Sequence, residues 1–188
     1  MNGGAIFDGV VLAGGRSSRM GSDKADLRWG EQSLLEHMRG LLQQAGAARV
    51  LISGPYAGPD GLPDRESGLG PLGGLLTLAQ TQADGIYLLV PVDMPLLRVS
   101  LLQRLTVAVC ADPGTACAIS SGYPLPLCLR LDAATRTAIA ELAGKSPRER
   151  SLRTLHGMLG GTMLEFADGD AGCLINCNTP EEWQGVAR

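Results

Sequence analysis

Leu12-Ala13-Gly14-Gly15-Arg16-Ser17-Ser18-Arg19-Met20-Gly21-Ser22-Asp23-Lys24 continues the apolar run Phe7 to Ala13, and this junction decides the fold. A short apolar run ending in a glycine pair predicts a buried strand that feeds a loop rather than a helix. Glycines let the backbone approach a polyphosphate closely and aim N–H groups at its oxygens, while Arg19 and Lys24 supply charge that amides lack. The segment therefore reads as a phosphate cradle, although Gly-Gly after a strand is, taken alone, more often a surface turn. Neither the G-x-x-x-x-G-K-[ST] of a P-loop nor G-x-G-x-x-G is present, which demotes two common nucleotide folds.

The chain after the loop alternates in type. Ser33-Leu34-Leu35-Glu36 fits a capping box, and leucines 34, 35, 41 and 42 keep helical spacing until Gly46. Val50 to Ser53 reads as a second buried strand, and residues 54 to 70, rich in Gly, Pro and Asp, read as a long loop of the kind that carries function. Pro71 to Gln82 repeats the helical pattern, and Ile86 to Pro91 gives a third strand that breaks at Asp93-Met94-Pro95. This βαβαβ order predicts an α/β fold with a parallel sheet, right-handed crossovers, helices on both faces and ligands beyond the carboxyl ends of the strands.

The second half is less regular. Helices over Leu101 to Ala111 and Ala133 to Leu142, with strands over Thr115 to Ser120 and Leu125 to Arg130, suggest a helix–strand–strand–helix insertion. Ser146-Pro147-Arg148-Glu149 and Thr179-Pro180-Glu181-Glu182 each place a hydroxyl, a proline and a glutamate where a helix would start.

With 188 residues, 45% of them hydrophobic, one domain with a real core is expected. A formal charge of −3 argues against a large nucleic-acid surface, and the absence of a signal-peptide pattern or long apolar run points to a cytoplasmic protein without a membrane partner. The five cysteines are an odd set with no C-x-x-C pair, and most of them read as reduced core residues; His37 and His156 stand apart, so a histidine metal site has little support.

Asp93, in Pro-Val-Asp-Met-Pro, sits just past the third strand, where a carboxylate faces the ligand crevice. Magnesium takes one or two protein carboxylates and completes its shell with water and phosphate oxygens, so one aspartate can hold it. Taken alone, Asp93 is equally a capping or turn residue. Gly68-Leu69-Gly70-Pro71-Leu72-Gly73-Gly74 opens the next helix with backbone against which a flat base could lie, or simply allows a turn. Asn176 and Asn178 can orient phosphate or metal-bound water, or serve as ordinary turn residues.

In this order, L-A-G-G-x-x-x-R-M-G-x-x-K, G-P-L-G-G, P-V-D-M-P and I-N-C-N-T-P-E-E resemble the molybdenum cofactor guanylyltransferase family over nearly the whole chain. The resemblance implies a three-layer Rossmann-like nucleotidyltransferase fold with a mostly parallel central sheet, residues 1–188 forming a single nucleotidyltransferase domain. It also implies transfer of GMP from GTP to the phosphate of molybdopterin, with pyrophosphate released and Mg2+ as cofactor. Transient contact with a protein that supplies molybdopterin, or with a molybdoenzyme that receives the product, goes with it.

On that resemblance Leu12, Ala13, Gly14, Lys24 and Asp93 bind nucleotide, Asp93 also holds magnesium, and Asp64 touches the nucleotide from the long loop. The family often has asparagine where this chain has Ser53. Gly15 joins Gly14 in the cradle, Gly70 lies against the base, and Arg19 with Lys24 neutralises the β- and γ-phosphates. Pro124 to Cys128 and Arg150 to Arg153 resemble, more loosely, positions near the pterin. The same logic fits a molybdopterin cytidylyltransferase or a sugar-1-phosphate nucleotidylyltransferase. A non-catalytic nucleotide-binding regulator is the reading from another class, and a dinucleotide-dependent oxidoreductase lacks its fingerprint.

Overall fold

The apolar run that leads into the glycine loop forms strand β1, Asp8–Leu12, in the interior of the central sheet of the computed structural model. The structure describes residues 6–14, 24–65, 68–167 and 170–177. A two-residue hairpin of β2 (Arg28–Trp29) and β3 (Gln32–Ser33) precedes helix α1 (Leu34–Ala45). The chain continues through β4 (Val50–Ser53), β5 (Gly61–Leu62), α2 (Pro71–Thr81), β6 (Gly85–Pro91) and α3 (Val99–Cys110). Strands β7 (Cys117–Ser120) and β8 (Tyr123–Leu131), helices α4 (Ala133–Ala143) and α5 (Leu152–Met158), and β9 (Thr162–Leu164) come next.

Among the described residues the sheet has seven strands in the order β5-β4-β1-β6-β8-β7-β9, and β8 alone runs against the rest. Successive side chains of one strand enter opposite cores. Val10 and Leu12 pack with Leu72, Leu75 and Leu78 of α2 and Ile139 and Leu142 of α4, whereas Val11 packs with Met38 and Leu42 of α1 and Leu101 and Leu105 of α3. Both faces are covered, which is why the strands read as unbroken apolar runs rather than alternating ones. Helix α1 lies close enough that a Cβ on Gly9 would come 2.9 Å from Leu42. Removing a fully buried leucine such as Leu42 would cost about 3 kcal/mol.

Local signals account for most boundaries. Ser33 accepts a hydrogen bond from the Glu36 N–H at 3.2 Å while the Ser33 N–H donates to the Glu36 carboxylate at 2.7 Å, closing the capping box. Gly46 ends α1 in the left-handed region, at φ 107°. Cys117, Cys128 and Cys173 are buried, and loss of hydration pushes the Cys117 thiol up to about 11 and Cys128 higher still, so these are packing residues. No helix among the described residues is long and apolar enough to cross a membrane.

Three expectations need correction. The stretch from 54 to 70 is not all loop: Gly61–Leu62 adds a short parallel strand beside β4. β7 and β8 are not an insertion. They extend the central sheet, β8 pairing with β6 because its Leu125 to Leu129 run is apolar on both faces. Ser146-Pro147-Arg148-Glu149 closes a single turn instead of opening a helix, with the Ser146 hydroxyl on the Glu149 carboxylate at 2.5 Å. Apolar residues at helical spacing begin only at Leu152 and Leu155, so α5 starts there, capped by Ser151. Strand β9, which pairs with β7, carried no sequence signal because Thr162 and Met163 are exposed. Thr179 to Glu182 lies outside the described residues.

Candidate active site

β4 and β6 flank β1 in the sheet, and the helices leading to them lie on opposite faces. A crevice therefore opens beyond the carboxyl ends of β1 and β6, as such a reversal of strand order requires. A cavity of about 630 Å³ occupies it. Leu12, Ala13 and Gly14 form one wall from the end of β1, and Pro91 to Met94 form another from the end of β6. Pro71 contributes from the start of α2. Gly122 to Leu125, Arg153 of α5, Leu174 and Asn176 close the far side.

Backbone contacts set the first wall. The Ala13 N–H donates to the Ser53 carbonyl at 2.8 Å, and the Val92 N–H donates to the Leu12 carbonyl at 3.1 Å, which fixes all three strand ends relative to one another. Gly54, at φ 141°, lies so close that a Cβ there would sit 2.8 Å from the Gly14 nitrogen. A Cβ on Gly14 would in turn sit 2.8 Å from a carboxylate oxygen of Asp64. Two glycines are thus required where two loop backbones touch.

Ser53 is buried, and its hydroxyl donates to Asp64 at 3.3 Å. A side chain on Gly74 would overlap that hydroxyl, so α2 presses Ser53 against the loop that carries Asp64. Ser53 therefore stands behind Asp64 rather than in the cavity wall. Gly70 caps α2 with φ 57°.

Asp93 lines the cavity and is half-buried. Its backbone carbonyl accepts the Cys177 N–H at 2.8 Å. On the other side His37 braces the same loop: its Nε2–H donates to the Pro95 carbonyl at 2.8 Å, and its ring lies 5.4 Å from that of Trp29. His37 thus has a supporting place. His156 likewise donates to a backbone carbonyl, that of Thr162, at 3.2 Å.

The structure brings together Leu12, Ala13, Gly14 and Asp93, with Ser53 and Asp64 immediately behind and Gly70 at the start of α2. Gly15 and Arg19 lie outside the described residues, and of Lys24 only the backbone is described, opening the single turn Lys24–Asp26 that packs on α1. Sequence reasoning missed Tyr123 and Leu174. An aromatic at the start of a strand and a leucine in a short apolar stretch carry no signal of a cavity wall.

A second cleft of about 310 Å³ adjoins the first and shares Pro71, Pro124, Leu125 and Arg153 with it. Arg150 and Arg153 line it. Arg153 donates to the Gly122 carbonyl, and the Arg150 Nε is buried without a hydrogen-bond partner among the described residues. The chemistry on offer is a backbone wall facing a carboxylate in one cleft and a pair of guanidinium groups in the next.

Residues 9–159 match the family described as the MobA-like NTP transferase domain. The chain is 46% identical over 178 residues to the molybdenum cofactor guanylyltransferase of Xanthomonas euvesicatoria pv. vesicatoria (strain 85-10), covering 94% of this chain and 92% of that one. It is 35% identical over 194 residues to a probable molybdenum cofactor guanylyltransferase of Chloroflexus aggregans (strain MD-66 / DSM 9485), covering 94% and 91%. Among solved structures, molybdopterin-guanine dinucleotide biosynthesis protein A from Archaeoglobus fulgidus superposes with a TM-score of 0.70 at 16% identity, covering 95% of each chain. A CMP:2-keto-3-deoxy-manno-octonic acid synthetase complexed with CTP superposes with a TM-score of 0.75 at 17% identity, covering 97% of each. These two similarities establish the fold.

Proposed function

From the premise that this chain belongs to the MobA-like NTP transferase family and is a nucleotidyltransferase, we propose that it transfers GMP from GTP to the phosphate of molybdopterin. The observation that carries this reading is the pair of adjoining clefts, one walled by Ala13-Gly14 and Asp93, the other by Arg150 and Arg153. Two anionic substrates need two neighbouring sites. GTP takes the larger cleft and molybdopterin the smaller.

An oxygen of the acceptor phosphate bonds to the α-phosphorus of GTP, the bond from that phosphorus to the bridging oxygen breaks, and pyrophosphate leaves with the electron pair. The nucleophile is already ionised, so no side chain has to take a proton, and both histidines are free for structural duty. The obstacle is repulsion. Two unit charges held 4 Å apart repel by about 4 kcal/mol at an effective dielectric of 20, so cations beside the phosphates matter more than a base.

In this reading the Gly14 and Gly15 backbone cradles the triphosphate, Lys24 and Arg19 neutralise its β- and γ-phosphates, and Arg150 with Arg153 orients the acceptor phosphate. Asp64, held by Ser53, meets the nucleoside. Gly70 lies against the base.

Among the described residues no cluster of three or more His, Cys, Asp or Glu side chains could cage an ion, but the Asp93 carboxylate beside a phosphate site fits magnesium, which keeps water and phosphate oxygens in its shell. When bound, magnesium would supply positive charge at the reacting phosphates. Reaction in the cytoplasm, followed by hand-over to a molybdoenzyme, completes the proposal.

Pyrophosphate release from GTP, magnesium and molybdopterin tests it directly. Release that needs both substrates is expected. A thermal-shift panel of GTP, CTP, UTP and ATP tests the base, since a ligand of the folded state raises the melting temperature. A preference for CTP would replace the guanylyl assignment, and nucleotide binding without turnover would replace the enzyme with a regulator.

A further inference from the structure

We infer that Arg104 and Asp170, neither of which lines the cavity, are positioning residues for the transfer reaction. They act by clamping the segment 170–177 against the Asp93 loop. This inference rests on the nucleotidyl transfer proposed above.

Asp170 is 3% exposed, a rare environment for a carboxylate. It accepts hydrogen bonds from Arg104 Nη1 at 2.5 Å and from the Ala167 N–H at 2.8 Å. The other end of the guanidinium, Nη2, donates to the Glu165 carbonyl at 2.5 Å. One arginine on α3 therefore grips the chain at both Glu165 and Asp170, and the Asp170 N–H also donates to the Ala167 carbonyl at 3.0 Å.

Beyond the clamp the chain runs directly into the site. Residues 170–177 contain one short turn, Ala171–Cys173, and no strand, so no ladder fixes them. Cys173 and Leu174 are buried in the core between the sheet, α1 and α3. Leu174 and Asn176 stand in the cavity wall, and the Cys177 N–H donates to the Asp93 carbonyl at 2.8 Å. The segment is thus held by the ion pair at one end, by Cys173 and Leu174 in the core, and by the Asp93 loop at the other end. Leucine or valine at position 170 would fill the same core without desolvating a charge, but would not orient the chain, and a paired buried charge is directional where apolar packing is not. Displacement of a catalytic group by about 1 Å can cost on the order of a hundredfold in rate.

The test compares Arg104→Gln, Asp170→Asn and Arg104→Lys with the wild-type chain. Arg104 is half-exposed, so Arg104→Gln keeps the experiment available if Asp170→Asn does not accumulate. Hydrogen exchange read by NMR at the Cys177 amide, with Val11 in β1 as the internal reference, needs no substrate. Exchange at Cys177 is expected to rise about tenfold in Arg104→Gln and Asp170→Asn with Val11 unchanged, whereas Arg104→Lys keeps much of the protection. In pyrophosphate release, kcat is expected to fall about tenfold while the KM for GTP stays within about threefold.

Unchanged protection at Cys177, or an equal rise at Val11 and Cys177, overturns the clamp. A loosened Cys177 with unaltered kcat overturns its link to catalysis. A wild-type chain that releases no pyrophosphate counts against the proposed function, and the exchange measurement still decides the clamp.

Discussion

The side of the cavity at the ends of β1 and β6 is shaped by close backbone packing against β4 and the loop after it, whereas the region beyond β6 builds its side from side chains. On the first side Gly14, Gly54 and the Leu12–Val92 and Ala13–Ser53 hydrogen bonds leave no room for a substituent. On the second side Tyr123, Arg153, Leu174 and Asn176 project from a strand start, a helix and a segment with little regular structure. A wall of main chain cannot be adjusted by changing one side chain, so it suits the part of a substrate common to all nucleotides. A wall of side chains can be retuned residue by residue, which suits the side of the cavity that borders the smaller, acceptor cleft.

Among the described residues on that first side, Asp93 is the charged one that lines the cavity, and its loss should give the largest effect. Asp93→Asn is expected to lower pyrophosphate release by about a hundredfold to a thousandfold while the melting temperature moves by less than about 2 °C. An active, folded Asp93→Asn chain would break the division of labour at its centre.

A sharper version uses two positive-φ glycines, one in each half. Gly54 backs onto the Gly14 nitrogen, whereas Gly122, at φ 79°, has open space around the position of a Cβ. Alanine at either site meets strain of about 1–2 kcal/mol. Only Gly54→Ala should also weaken GTP binding, by about tenfold or more, because it pushes directly on the cradle. Calorimetric titration with GTP separates the two, and equal affinities would remove the claim that the β4 loop shapes the nucleotide wall.

The same division explains what could be read from sequence. Strand β1, helix α1 with its Ser33 cap and Gly46 stop, and the placement of Asp93 all come from local rules, because apolar runs, caps and glycines act on their own neighbours. A glycine pair after a strand and an aspartate after another are local objects, so that half of the cavity was visible. The other half depends on contacts distant in sequence. β8 joins β6 across more than thirty residues of chain, and only a loose family resemblance at Pro124 to Cys128, not a local rule, points to the stretch beside Tyr123. Arg104 and Asp170 are 66 residues apart, and each looks like a solvated charge until the fold brings them together. Strand β9 pairs through its backbone while Thr162 and Met163 are exposed and Leu164 alone packs on the core, so composition gives no hint of it.

Arg153 tests the acceptor side. Arg153→Ala is expected to raise the KM for molybdopterin about tenfold with little change in the KM for GTP, the loss of one charge-assisted contact. Initial rates with each substrate varied in turn check this. A rise confined to the GTP KM would exchange the occupants of the two clefts.

The smallest effect concerns two copies of one local pattern, one in each half. Ser33–Glu36 opens α1, and Ser146–Glu149 closes only a turn, although both glutamates accept hydrogen bonds from their serines. Those bonds hold both carboxyls below the ordinary glutamate value of 4.5, chiefly through the backbone N–H for Glu36 and the hydroxyl for Glu149. A carboxyl lowered in the folded state stabilises above its unfolded value, and the gain is lost as pH falls through the folded value. Glu36→Gln should therefore lower the melting temperature by roughly 1 °C at pH 7, with the difference closing on acidification below the ordinary glutamate range. Glu149→Gln should change less at either pH, because no helix depends on that turn. If the two variants melt alike across the titration, the helix gains nothing from its box, and α1 is held by Leu34, Met38 and Leu42 in the core alone.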